Sequence, residues 1–157
     1  MEDKKRLIMY VLYGIMVLLL AWILLPTFSF AKQATHQVQV SDSWAKPTLI
    51  GRDVGVAYIT LENTSDKALA LVSAETAVAE RAEIHTHIHN ENGTMQMREL
   101  EKLELKPNDK QVFEPGGLHL MLFGLKQPLK ADQKFTVTLT FDDASTEQVE
   151  VMVRTNG

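Results

Sequence analysis

From about Val38 onward, apolar and polar positions alternate in short runs. Val54, Val56, Tyr58 and Thr60 alternate with Ala57, Ile59 and Leu61. Phe135, Val137, Leu139 and Phe141 alternate with Thr136, Thr138 and Thr140, and Val149, Val151 and Val153 with Glu150, Met152 and Arg154. A period of two is the pattern of a half-buried strand. Turn-forming clusters at 63–66, 90–93, 106–109, 114–117 and 142–145 separate the runs. Many short strands with regular turns predict an all-β sandwich or barrel of Greek-key type. Ala and Glu gather at residues 73–79, where one helical turn is expected. The sequence contains no internal repeat, low-complexity tract or second domain.

The first 31 residues break this pattern. Lys4, Lys5 and Arg6 precede an uncharged apolar stretch at 7–25, and small residues stand at Ser29 and Ala31. This order fits a secretory signal cleaved after Ala31. The stretch is nineteen residues long, and at about 1.5 Å per helical residue it also suffices for an uncleaved membrane anchor. The expected division is residues 1–31 as signal peptide or N-terminal anchor and 32–157 as the domain. Either reading leaves the basic end inside and carries the domain out of the cytoplasm.

Charge and cysteine content narrow the function. The whole chain has a formal net charge of −4, and without residues 1–31, which hold three bases and two acids, it is −5. An acidic domain with no basic stripe is a poor nucleic-acid binder. There is no cysteine, so neither a disulfide nor a cysteine-linked lipid is expected. An ordinary hydrophobic core must hold the fold, and a domain of this size can build one.

Candidate chemistry lies in the second half. His119 and Met121 sit within an apolar run with Leu118, Leu120 and Leu122. On a strand the two ligand types share one face and the leucines take the other, as core. His119 and Met121 are thus expected on an exposed face, where substitution leaves folding intact. His85, His87 and His89 likewise occupy alternate positions, and Met95 and Met97 follow. Imidazole and thioether without thiolate suit Cu(I) better than the hard ions that prefer oxygen. Taken singly, each methionine is more often a packing residue and each histidine a surface residue. The acids around Glu99, Glu101 and Glu104 read as a solvated strand face. Trp44 is expected in the core or beside the site, and His36 reads as incidental.

The spacing of these residues resembles that of the periplasmic copper chaperones of the PCuAC type. Ten residues separate Thr86 from Met97, twenty-one separate Met97 from His119, and Met121 closes a His-x-Met. The flanks resemble the family too: Asp42, Ser43, Trp44, Ala45, Lys46 and Pro47 near the start, and Pro115, Gly116 and Gly117 before the His-x-Met. The similarity runs from about Val38 to Val153. It implies a cupredoxin-like Greek-key β-sandwich, no enzymatic activity, and copper as cargo, with His85, Met97, His119 and Met121 as Cu(I) ligands. It further implies delivery to the copper centre of a haem-copper oxidase, assisted by a thiol-bearing assembly factor, in the periplasm or on the outer face of the cytoplasmic membrane. His87 and His89 stand where many relatives carry Met. They are either an exposed polar face or a second, weaker site for Cu(II) or Zn(II), and Met95 is a packing or neighbouring residue.

Convergence of the four ligands sets a condition on the hairpin at Asn92 and Gly93. A two-residue loop would pair Ile88 with Met97 and put Met97 on the wrong face. Either the loop is odd, as with three residues and a bulge at glycine, or Met97 leaves the ladder; the first is expected. Two other functions compete. A periplasmic copper store shares every ligand with a chaperone, and a zinc-dependent enzyme could use the His-x-His strand with His119 but leaves Met97 and Met121 unexplained. A blue-copper electron carrier needs a cysteine thiolate and fails.

Overall fold

A computed structural model describes Arg6 and residues 37–89 and 92–155. The expected signal or anchor, its cleavage point at Ala31, and His36 lie outside the described residues. Among those that are described, no helix is long and apolar enough to cross a membrane. By contact, residues 1–33 separate from residues 34–157, and the fold below belongs to the second unit.

The three alternating runs become β2 (Val54–Asn63), β9 (Lys134–Phe141) and β10 (Thr146–Val153). Around them stand β1 (Val38–Ala45), β3 (Leu69–Thr76), β4 (Arg81–His89), β5 (Met95–Leu100) and β8 (His119–Phe123). Two three-residue strands, β6 (Leu103–Leu105) and β7 (Lys110–Val112), complete the described set. Seven of these close a ring in the order β4, β8, β2, β1, β10, β9, β3, with β3 returning to β4 at Ala74 and Ala82. β5 extends the ring from β4, β6 from β3, and β7 from β2. β1 and β10 run parallel through Trp44–Met152 and Ala45–Val153. The all-β sandwich expected from the sequence is present.

The core is built from the inward residues of that ring. Ile59, Leu61, Leu71, Leu120, Leu122, Val137, Leu139, Val151 and Val153 are fully buried. Each such side chain contributes about 1.5–3 kcal/mol relative to exposure, so no cross-link is required. β2 differs from the half-buried strand expected, because both of its faces are covered from Ala57 to Leu61. Trp44 packs on Tyr58 with ring centroids 4.5 Å apart, which places the tryptophan in the core.

The helical turn expected at 73–79 does not form. Residues up to Thr76 are strand, because Ala74, Glu75 and Thr76 pair with Leu139, Thr138 and Val137 of β9. Tertiary pairing outweighs the local preference of Ala and Glu.

Candidate metal centre

Two turns position the site. The β4–β5 hairpin pairs His89 with Met95, His87 with Met97 and His85 with Glu99. Five residues connect His89 to Met95, an odd number, with Gly93 at φ +79°. The loop is odd, as expected from the sequence, but it holds five residues rather than three and the β4–β5 ladder has no register shift; Met97 shares its face with His85 and His87. The second turn interrupts what would be one strand along β2. β7 pairs with Thr60–Glu62 and β8 with Val54–Ala57, and residues 114–117 fold out between them. Gly117 N–H donates to Glu114 O at 3.0 Å, with Pro115 second in the turn and Gly116 third at φ +84°. That is a type II turn, which needs positive φ at its third residue.

The consequence is a carbonyl delivered to the imidazoles. Gly117 O accepts from His119 Nδ1 at 2.9 Å and lies 3.4 Å from His87 Nδ1. A carbonyl can only accept, so His119 Nδ1 holds the proton and Nε2 keeps the lone pair. On the other side, β4 and β8 pair His85 directly with His119 and Glu83 with Met121. His85 Nε2 lies 2.9 Å from Glu83 Oε2. The carboxylate likewise accepts, leaving the lone pair on His85 Nδ1, which is buried and without a hydrogen-bond partner.

His85 is the hub of this face. Met97 and Met121 are its diagonal neighbours on opposite strands, at a spacing of about 7–8 Å that long side chains span. The His85 and His119 rings stand 5.9 Å apart, and the His87 and His119 rings 5.1 Å apart. The structure thus brings His87 into the site as closely as His85. His89 is placed only by its pairing with Met95, which is about half exposed, as is Met97. Phe123 closes the far end, 6.1 Å from the His85 ring and beneath the Arg81 guanidinium at 4.8 Å.

Burial differs from the exposed face expected for the His-x-Met pair. His119 is only 3% exposed. Burial pushes its pKa below the ordinary histidine value, and the neighbouring His87 and His85 push the same way against the Gly117 hydrogen bond. The imidazole is therefore held neutral, the form that binds metal. Glu83 carries its charge readily, because its bond to His85 and then its pairing with Arg81 hold its carboxyl below the usual range.

Nothing in the sequence pattern marks Glu83 or Glu99 as a site residue. Glu83 continues the same period-two face backwards from His85, but an acid on a strand ordinarily faces water. Its bond to the His85 ring, two residues on along β4, is what reveals it. Glu99 is exposed, as a solvated strand face should be, yet it lies opposite His85.

The fold is that of PCuAC domains. The copper-bound PCuAC domain from PmoF2 superposes with a TM-score of 0.64 at 18% identity, covering 75% of this chain and 92% of that one. The Cu(I) form of DR1885 from Deinococcus radiodurans gives 0.59 at 29% identity, over 80% of this chain and 86% of that one. The chain belongs to the LpqE-like family, described as "Putative lipoprotein LpqE-like", whose model matches residues 38–153. Two relatives are the "Putative lipoprotein Lxx21020" of Leifsonia xyli subsp. xyli and the "Uncharacterized protein RP573" of Rickettsia prowazekii. The first is 36% identical, over 74% of this chain and 69% of its own length. The second is 35% identical, over 78% and 68%. None of these proteins bears the name of an enzyme.

Proposed function

We propose that this chain is an extracytoplasmic copper metallochaperone that holds one Cu(I) with His85, Met97, His119 and Met121. The observation that carries this reading is the paired imidazoles on β4 and β8. Each has one ring nitrogen engaged by an oxygen acceptor, the arrangement that fixes tautomer and aim in metal-binding histidines. Each keeps one lone pair, and the methionines flank them on the same face. The copper-bound neighbours share the fold, which supports the reading.

Imidazole and thioether bind Cu(I) without the thiol chemistry that an oxidising compartment would trap as disulfide. They also yield the ion to an acceptor that offers thiolates. Residues 1–31 serve as signal or anchor and 32–157 as the copper domain, in the periplasm or at the outer face of the membrane. The acceptor is the copper centre of a haem-copper oxidase, with a thiol-bearing assembly factor assisting. Mixing the Cu(I)-loaded full chain with an apo-oxidase copper-centre fragment tests this. Transfer to the fragment is expected, and retention by the chain under a large excess of acceptor would overturn delivery.

A further inference from the structure

We propose that Glu83, His85 and Glu99 form a separate site for a divalent cation of the Zn(II) type, sharing His85 with the Cu(I) site. One ligand atom from each lies within 4.8 Å of the other two. Two bonds of about 2.0–2.2 Å to a tetrahedral ion bring ligand atoms only somewhat closer than this, so small side-chain rotations close the set. β4 places Glu83 two residues before His85 on the same face, and β5 places Glu99 directly opposite. The ladder itself therefore holds the geometry.

What distinguishes this cluster from a solvated acidic face is the imidazole between the carboxylates. His85 and Glu83 have side chains only 13% and 15% exposed. Glu83 presents Oε2 to the ring while Arg81 engages Oε1. Arg81 is itself 64% exposed, so solvent screens its charge. Glu99 faces water, which leaves room for a fourth, aqueous ligand. Two carboxylates and one imidazole suit a borderline divalent ion and offer Cu(I) little.

The shared histidine makes the two ions exclusive. A neutral imidazole has one lone pair. With the proton on Nε2, shared with Glu83, His85 presents Nδ1 to the soft set. A divalent ion beside Glu83 takes Nε2 instead, and the proton moves to Nδ1, withdrawing it from Cu(I). This exclusivity rests on the Cu(I) reading above, whereas the divalent site itself does not.

The test titrates the purified full chain in mild detergent with Zn(II) alone, then with Cu(I) alone, each against a competing chelator. Glu99→Gln is expected to weaken Zn(II) at least tenfold and leave Cu(I) within about twofold. The Met97→Leu, Met121→Leu double variant should do the reverse. Zn absorption spectroscopy should show oxygen and nitrogen neighbours only, and Zn(II) should raise the apparent Kd for Cu(I) in proportion to its occupancy. A sulfur-containing zinc shell, or Zn(II) affinity unchanged by Glu99→Gln, would overturn the site. Simultaneous binding of both ions would overturn the sharing. Failure of the native chain to bind Cu(I) while the zinc results hold would remove the copper reading and leave this site standing.

Discussion

His87 lies directly opposite Met97 across the β4–β5 ladder, two residues along β4 from the facing pair His85 and His119. A histidine outside the spacing motif is therefore nearer to Met97 than either motif histidine is. His87→Ala should weaken Cu(I) measurably, by a few fold, and His119→Ala by tenfold or more, a loss of about 1.4 kcal/mol. Chelator competition on the two variants makes the comparison. A larger loss for His87→Ala would move the centre of the site up the hairpin.

Burial makes His119 a structural residue as well as a proposed ligand. Removing its ring takes from Gly117 O its shorter hydrogen bond, leaving only the 3.4 Å contact with His87, and opens space beside the core strand β8. His119→Ala should cost about 1–3 kcal/mol in the metal-free protein, read as a lower denaturation midpoint. Met97→Ala, on a half-exposed position of an edge strand, should cost less than about 0.5 kcal/mol. Equal midpoints for the two variants would contradict the burial argument.

Much of this arrangement is legible in the sequence, and the reasons for the rest are physical. The runs at 54–61, 135–141 and 149–153 declare themselves because period two has no competing explanation there. The odd β4–β5 loop follows from requiring Met97 and His85 to share a face. β6 and β7 are too short for any period to show. Residues 73–76 look helical locally and are strand only because β9 lies beside them. Glu83 and the Gly117 carbonyl each contact a histidine two residues further along the same segment, but an acid on a strand and a glycine in a turn carry no local mark of that role.

Asn63 is an example of a turn residue whose role the turn does not explain. It is fully buried. Its Nδ2 donates to Lys67 O at 2.7 Å and to Leu105 O and Lys106 O at 3.1 Å, while Oδ1 accepts from Ser65 N–H and Oγ. Asn63→Leu strands several of these groups without water. A loss of about 2–4 kcal/mol is expected, with Cu(I) affinity of the folded protein unchanged. Wild-type stability in that variant would show the network to be dispensable.

The depressed pKa of His119 gives a pH signature. Above the unfolded value of about 6.5, the ring is neutral in both states and its contribution is complete. As pH falls below that value the unfolded chain takes up the proton first, so stability drops until pH passes the lower folded pKa. Denaturation midpoints of the apo protein between pH 7.5 and 5 should fall, and His119→Gln should flatten that slope. Ring-proton titration of His119 with a midpoint at or above 6.5 would contradict the sign.

The same proton competition separates the oxidation states of copper. Thioethers do not titrate here, so Cu(I) affinity should decline only modestly from pH 7 to 5.5. Cu(II), dependent on nitrogen from His85, His87, His89 and His119, should be lost more steeply. Parallel slopes would mean that methionine contributes nothing to holding Cu(I).

The central claim is one Cu(I) ion bound by two imidazole nitrogens and two thioether sulfurs. X-ray absorption at the copper edge of the Cu(I)-loaded chain tests it most directly. The account predicts a mixed shell of nitrogen and sulfur at one copper per chain, with sulfur scattering reduced in Met97→Leu and in Met121→Leu alike. A shell of nitrogen and oxygen alone, unchanged by either substitution, would contradict it.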